Sequence, residues 1–186
     1  MPATKNILIT GMSGLIGGIV GKHLDSLGHT ITALNRQAVE GYKTTQASIT
    51  DFYAIRPAFD GIDTVIHLAA YLGPDDQAQL YINIEGTYNV FKAAGEAGVK
   101  RVIFGSSGAT LMASENYEPY KSFREGRMDD LPTLRPVMMH TDPPHPERMY
   151  GVAKIAGEAM ARLFSEDHGS AIAARIGRVH AADRPT

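Results

Sequence analysis

Three groups of residues have the types and spacing to do chemistry. Gly11-Met12-Ser13-Gly14-Leu15-Ile16-Gly17 has the spacing GxxGxxG. Gly11 permits a tight turn, Gly14 lets a diphosphate approach bare backbone, and Gly17 lets a helix pack closely on its strand. The start of that helix offers N–H groups and the positive end of its dipole to phosphates. Tyr150-Gly151-Val152-Ala153-Lys154 sets a phenol and an ammonium four residues apart, on one helix face. A cation there favours phenolate and is expected to draw the Tyr150 pKa down. Tyr150 is then able to exchange a proton with a substrate hydroxyl or carbonyl while hydride moves to or from a nicotinamide, and Lys154 to bond ribose hydroxyls. Ser106-Ser107 follow an apolar run, where a hydroxyl could hold the substrate oxygen in line with Tyr150. Each group alone has an ordinary reading: a packing turn, a helix cap, a Tyr beside a surface Lys. Their order along the chain carries the chemical one.

The elements that must position these groups alternate. Asn6–Thr10 reads as a buried strand ending at Gly11, and Leu15 to Leu27 as a helix stopped by Gly28. Thr30 to Leu34 is a strand, Tyr42 to Ile49 a weaker extended stretch, and Asp51 caps a short helix toward Phe59. Thr64 to Leu68 is a strong strand, Asp75 to Ala97 a long helix, and Arg101 to Phe104 a strand leading into Gly105-Ser106-Ser107-Gly108. A helix from about Met149 to His168 and a strand from Ala171 to Ile176 complete the pattern. Such alternation predicts an α/β, doubly wound parallel sheet of the Rossmann type, order 3-2-1-4-5-6. The expectation is one dinucleotide-binding domain over residues 1–186, with a proline-rich insert at about 113–148. That insert holds Pro119, Pro132, Pro136, Pro143, Pro144 and Pro146, and it reads as a functional flap, a mobile loop or a plain surface excursion. Met112, Met128, Met138, Met139 and Met149, in or beside it, suit an adaptable apolar surface.

Cofactor choice falls at the end of the second strand, where a carboxylate would accept from a ribose 2′-hydroxyl. Asn35-Arg36 stand there instead. A neutral amide beside a guanidinium tolerates a 2′-phosphate better, which favours NADP over NAD, although Arg36 also reads as a solvated strand-end charge.

Composition excludes much else. The 186 residues carry 18 basic and 20 acidic side chains, net charge −2, so no nucleic-acid or anionic-membrane partner is called for. The absence of cysteine excludes disulfides, a thiolate nucleophile and Cys-ligated metals. The seven histidines show no metal-binding spacing; His140 and His145 are expected to face solvent. With no long apolar run and no leader-like start, a soluble cytoplasmic protein is the default expectation.

With these residues in hand, the chain resembles the extended short-chain dehydrogenase/reductase superfamily, in its NAD-dependent epimerase/dehydratase group. The motifs that carry the resemblance are the glycine turn, Asp63-Thr64-Val65-Ile66-His67-Leu68-Ala69-Ala70, Asn83-Ile84-Glu85-Gly86-Thr87, Ser106-Ser107 and Tyr150-Gly151-Val152-Ala153-Lys154. The resemblance implies bound NAD or NADP and a Ser-Tyr-Lys triad, with Ser107 as its serine and Ser106 the second choice. It implies that His67, Leu68, Ala69 and Ala70 lie along the cofactor, mainly through backbone, that Asn83 supports the active-site lysine, directly or through water, and that Gly177, in Arg175-Ile176-Gly177-Arg178, borders the nicotinamide. A homodimer built on the two long helices is implied too. Where the family often has an Asp at the adenine, this chain has Ser48, beside Ile49. Where sugar-nucleotide dehydratases follow the triad hydroxyl with Asp-Glu, it has Gly108-Ala109, which argues against elimination chemistry. Family members usually continue into a substrate-binding lobe, largely absent before Thr186. Pro146 to Lys154 and Arg175-Ile176-Gly177 are similar to uronate dehydrogenases. The expected function is hydride transfer between NAD(P) and a sugar, sugar acid or related alcohol; the alternatives are a sugar epimerase and a non-catalytic NAD(P)-binding module.

Overall fold

The computed structural model describes residues 3–133 and 137–182. Its strands are β1 (Asn6–Thr10), β2 (Thr30–Asn35), β3 (Lys43–Gln46), β4 (Thr64–His67), β5 (Arg101–Ser107) and β6 (Ser170–Ile176). All pair in parallel, in the order β3-β2-β1-β4-β5-β6. This is the predicted winding. Its direction reverses between β1 and β4, and the crevice beyond the carboxyl ends of those strands is where open α/β sheets bind ligands.

Parallel strands covered on both faces alternate their side chains between two cores. Leu8, Val65, Val102 and Phe104 pack on one face against Val90 and Phe91 of α4 (Gly86–Glu96) and Ala161 and Phe164 of α6 (Met149–Asp167). Ile7, Ile9, Ile31 and Ile66 pack on the other face, against Met12 and against Val20 and Leu24 of α1 (Leu15–Ser26). The Asp51 carboxylate accepts the Ala54 N–H and caps α2 (Phe52–Ile55), as its position predicts.

The structure departs from the sequence reading in three places. The helix expected from Asp75 to Ala97 opens as α3 (Asp76–Ala78), continues as a π-helical segment over Gln79–Glu85, and then becomes α4. Strand β5 runs on through Ser106 and Ser107, so the serine pair ends a strand and does not follow one. The insert has its own short elements, including α5 (Tyr120–Arg124). It leaves and returns at one point, where Ala113 N–H donates to His145 O at 2.9 Å and His145 N–H to Thr110 O at 2.8 Å. His145, expected in solvent, stacks on Tyr117 with ring centroids 5.1 Å apart. Pro136 and the end of the chain at Thr186 lie outside the described residues.

Candidate active site

The carboxyl ends of the strands open into one cleft of 1060 Å³. Its floor at one end is the glycine turn. Gly11 adopts φ +71°, and a Cβ there would lie 2.7 Å from the backbone of Ala69. Gly14 forms the N-cap of α1 without a side-chain cap, so the first-turn N–H groups of the helix face the cleft bare. A cradle that any added Cβ would fill, beneath an uncapped helix start, fits the diphosphate of a dinucleotide.

Every residue expected at the cofactor except His67 lines this cleft. From the turn come Gly11, Ser13, Gly14, Leu15, Ile16 and Gly17. Asn35, Arg36, Ser48 and Ile49 line the end beyond β2 and β3, while Leu68, Ala69 and Ala70 line the stretch beyond β4. Ser106, Tyr150, Lys154 and Gly177 stand at the far end, with Ser107. Asn35 exchanges hydrogen bonds with Ser13 and donates to Gln37 O, so its amide is fixed at the lip while Arg36 is exposed beside it.

Ser107, Tyr150 and Lys154 converge at that far end. The Ser107 Oγ accepts the Ala109 N–H at 3.2 Å, which leaves its own proton to donate into the cleft. Lys154 is 4% exposed; its Nζ donates to Gly105 O at 2.7 Å and sits 5.5 Å from the centre of the Tyr150 ring. Burial pushes the Lys154 pKa down to about 8. The Tyr150 pKa is raised, contrary to the expectation from sequence: burial lifts it, and the Ser107 hydroxyl opposes that only in part. The ammonium bonds the Gly105 carbonyl and faces the phenol ring, not the phenol oxygen, and burial of the phenol prevails.

Gly151 is a packing position beside the site that sequence reasoning passed over. A Cβ there would meet Ala109 O at 2.5 Å, so only glycine lets the start of α6 close on the turn after Ser107. Its signal was its place inside the Tyr-to-Lys span. Tyr71, Leu72 and Gly73 also line the cleft unforeseen, since nothing in their types marks them.

Two expected site residues bond elsewhere. Asn83 makes no direct bond to Lys154 among the described residues. Its Oδ1 accepts the Tyr71 N–H at 2.7 Å and its Nδ2 donates to Tyr71 O at 2.8 Å, while Gln79 Nε2 donates to Gly73 O at 2.8 Å. The π-helical segment thus clasps the wall of the cleft, a use typical of π-turns at functional sites. Ser106 turns its hydroxyl away, donating to Glu158 Oε1 at 2.6 Å, because alternate residues of a strand face opposite sides.

Glu158 also accepts from Arg175 Nε and Nη2, each at 2.8 Å. Burial opposes its ionisation, but the bonds from Arg175 and Ser106 outweigh that and hold its pKa below the usual carboxylate value. The cluster ties β5, α6 and β6 together under the triad. Glu158→Ala is expected to cost about 2–3 kcal/mol, because it strands a mostly buried guanidinium. Glu166→Ala, which loses only the exposed pair with Arg162, should cost less than about 0.5 kcal/mol. Denaturant unfolding of the two variants measures the contrast.

Among the described residues no helix is long and apolar enough to cross a membrane. Residues 7–185 match the family model described as "NAD dependent epimerase/dehydratase family". The chain is 32% identical over 180 residues to the L-arabinose 1-dehydrogenase (NAD(P)(+)) of Haloferax volcanii, covering 95% of this chain and 68% of that protein. It is 31% identical over 189 residues to the NAD-dependent glucose-6-phosphate dehydrogenase of the same organism, covering 93% and 68%. A short-chain dehydrogenase/reductase superfamily protein from Agrobacterium tumefaciens, solved with bound NAD, superposes with a TM-score of 0.75 at 27% identity, over 91% of this chain and 48% of that one. The chain therefore spans about two thirds of these curated relatives and about half of that solved structure. With its sheet order, its glycine cradle and this match along nearly its whole length, the chain belongs to the NAD-dependent epimerase/dehydratase family of the short-chain dehydrogenase/reductase superfamily.

Proposed function

We propose that the cleft binds NAD(P) and that Ser107, Tyr150 and Lys154 assist oxidation by NAD(P)+ of a hydroxyl of a sugar or sugar acid. The observation that carries this reading is their convergence at one end of a cleft whose other end is a diphosphate cradle. When bound, the nicotinamide supplies the hydride acceptor. Ser107 donates a hydrogen bond to the substrate oxygen and holds it in place. Tyr150, as phenolate, takes the hydroxyl proton as the carbon gives up its hydride, leaving a carbonyl. Lys154 presents donors toward the phenol and the cofactor ribose. Asn83 acts as a positioning residue through Tyr71. The aldose and aldose-phosphate dehydrogenases among the relatives support the substrate class.

The exposed Arg36 beside a fixed Asn35, with no carboxylate among the described residues lining that lip, supports NADP over NAD. Tyr81 and Tyr88, seven residues apart and each about half exposed on the π-helical segment and α4, support a homodimer through that side. Residues 1–186 act as the dinucleotide-binding domain, and the 113–148 insert meets the substrate's far side.

The test is incubation of the full-length protein with NAD and with NADP against aldoses, aldose phosphates and uronic acids. Reduced nicotinamide should accumulate with at least one sugar, faster with NADP. Sugar conversion without net reduction would make the protein an epimerase. Nucleotide binding without conversion across the panel would make it a non-catalytic module.

A further inference from the structure

Beneath the glycine turn lies a buried polar chain that the proposed reaction does not use. His67 ends β4 with no exposed surface and does not line the cleft. Its Nδ1 is 2.7 Å from Thr10 Oγ1, and its Nε2 is 3.1 Å from Thr87 Oγ1. Thr10 Oγ1 also accepts the backbone N–H groups of Leu68 at 3.2 Å and Ala69 at 3.1 Å.

The protons in this chain can be counted. A hydroxyl has two acceptor lone pairs and one proton. The Ala69 N–H takes one lone pair of Thr10 Oγ1, and the Leu68 N–H, shared with Thr10 O at 3.2 Å, takes the other, so the hydroxyl proton points to His67 Nδ1. Nδ1 must then be bare, and the neutral ring carries its hydrogen on Nε2, which donates to Thr87. A cationic ring would present N–H to Thr10 and force the hydroxyl to drop one of the two backbone bonds. Burial, with the charge of Lys154 nearby, pushes the His67 pKa down to about 3 and so agrees with a neutral ring.

The three elements joined are the ones that bound the cleft. Thr10 precedes Gly11. Leu68 and Ala69 form the opposing wall, whose backbone lies 2.7 to 2.9 Å from where a Gly11 Cβ would be. Thr87 belongs to α4, behind them. We propose that His67, locked as the neutral Nε2–H tautomer between Thr10 and Thr87, is the positioning residue that sets the separation of the two walls of the dinucleotide cleft. This rests on the reading that the cleft takes NAD(P). Correct spacing matters because backbone N–H groups on the turn must reach a diphosphate that touches both walls.

The experiment has a spectroscopic and a binding arm, both on the full-length protein. Long-range proton–nitrogen spectra of ¹⁵N-histidine protein, with the His67 signals assigned by their loss in His67→Asn, report the tautomer. A protonated Nε2 and a bare Nδ1 at neutral pH are expected; the opposite tautomer or a cationic ring overturns the proposal. The binding arm titrates NADH and NADPH by nicotinamide fluorescence. His67→Asn keeps an acceptor for Thr10 and should bind within about threefold of wild type, whereas His67→Leu should bind at least about tenfold more weakly. Thr87→Val, a milder change, removes only the Nε2 partner and should lie between them. Thr10→Ser should restore what Thr10→Val loses. Unchanged affinity in Thr87→Val and Thr10→Val, with wild type binding, overturns the positioning role alone. Wild-type protein that binds neither nucleotide overturns the cofactor reading, and the cleft role of His67 with it, whatever the tautomer.

Discussion

Tyr150→Phe is expected to lower kcat by about three orders of magnitude while NAD(P) affinity stays within about threefold of wild type. The variant keeps the ring, its packing and the Lys154 Nζ 5.5 Å from the ring centre, and removes only the phenol oxygen, the proposed proton carrier. Ser107→Ala should cost less, about a hundredfold, because it removes one donor to the substrate oxygen and leaves the base in place. The direction of pH dependence follows from the site. Burial holds the phenol pKa above its ordinary value of 10.0, with Ser107 opposing. Only a small fraction is therefore phenolate at neutral pH, and alcohol oxidation should accelerate as pH rises. Carbonyl reduction, which needs the phenol protonated, should not share that rise. Steady-state rates in both directions, with nucleotide titrations of each variant, check these points. Near-wild-type turnover in Tyr150→Phe would remove Tyr150 from the reaction.

The fold was legible because most strands, β3 (Lys43–Gln46) excepted, hold a short apolar run and the main helices have their stops. Gly28 and Gly98 both take positive φ at the positions where helices were read to end. The placing of Tyr150 and Lys154 on one helix face was legible for the same local reason, since i and i+4 on a helix need no tertiary knowledge. What the sequence concealed depends on contacts between distant elements. The partner of Asn83 is a backbone that a π-helical segment brings to it, and π-turns leave no periodicity to read. Ser106 and Ser107 are equivalent in type; their roles divide because strand β5 runs on through them and turns one toward Glu158 and the other toward the cleft. The pKa of Tyr150 could not be read from an adjacent cation alone, because burial acts on both groups and spacing does not show burial. The end of the insert at His145 is likewise set by backbone bonds to Thr110 and Ala113, which no composition signals.

Two neighbouring glycines in α1 should respond to alanine with opposite signs, and Gly17→Ala has the larger effect. A Cβ on Gly17 would lie 2.6 Å from Gly11 O and 2.7 Å from Met12 Cα. Both are backbone atoms of the turn, and the turn has nowhere to retreat. On its far side Gly11 already faces the Ala69 backbone, and Met12 is buried in the core. Alanine must therefore push α1 away from β1, carrying its uncapped first-turn N–H groups out of reach of the diphosphate. Gly17→Ala is expected to lower stability by about 2–3 kcal/mol, as overpacked sites do, and to weaken NAD(P) binding by at least about a hundredfold. At Gly18 the nearest atom to a new Cβ is Met12 O, at an ordinary 3.6 Å, and the residue does not line the cleft. Gly18→Ala gains helix propensity without a clash and should stabilise the protein by about 0.5–1 kcal/mol with nucleotide affinity unchanged. Denaturant unfolding and nucleotide titration of the two variants side by side make the comparison. Equal effects in both would mean that close packing at the turn does not govern the cleft.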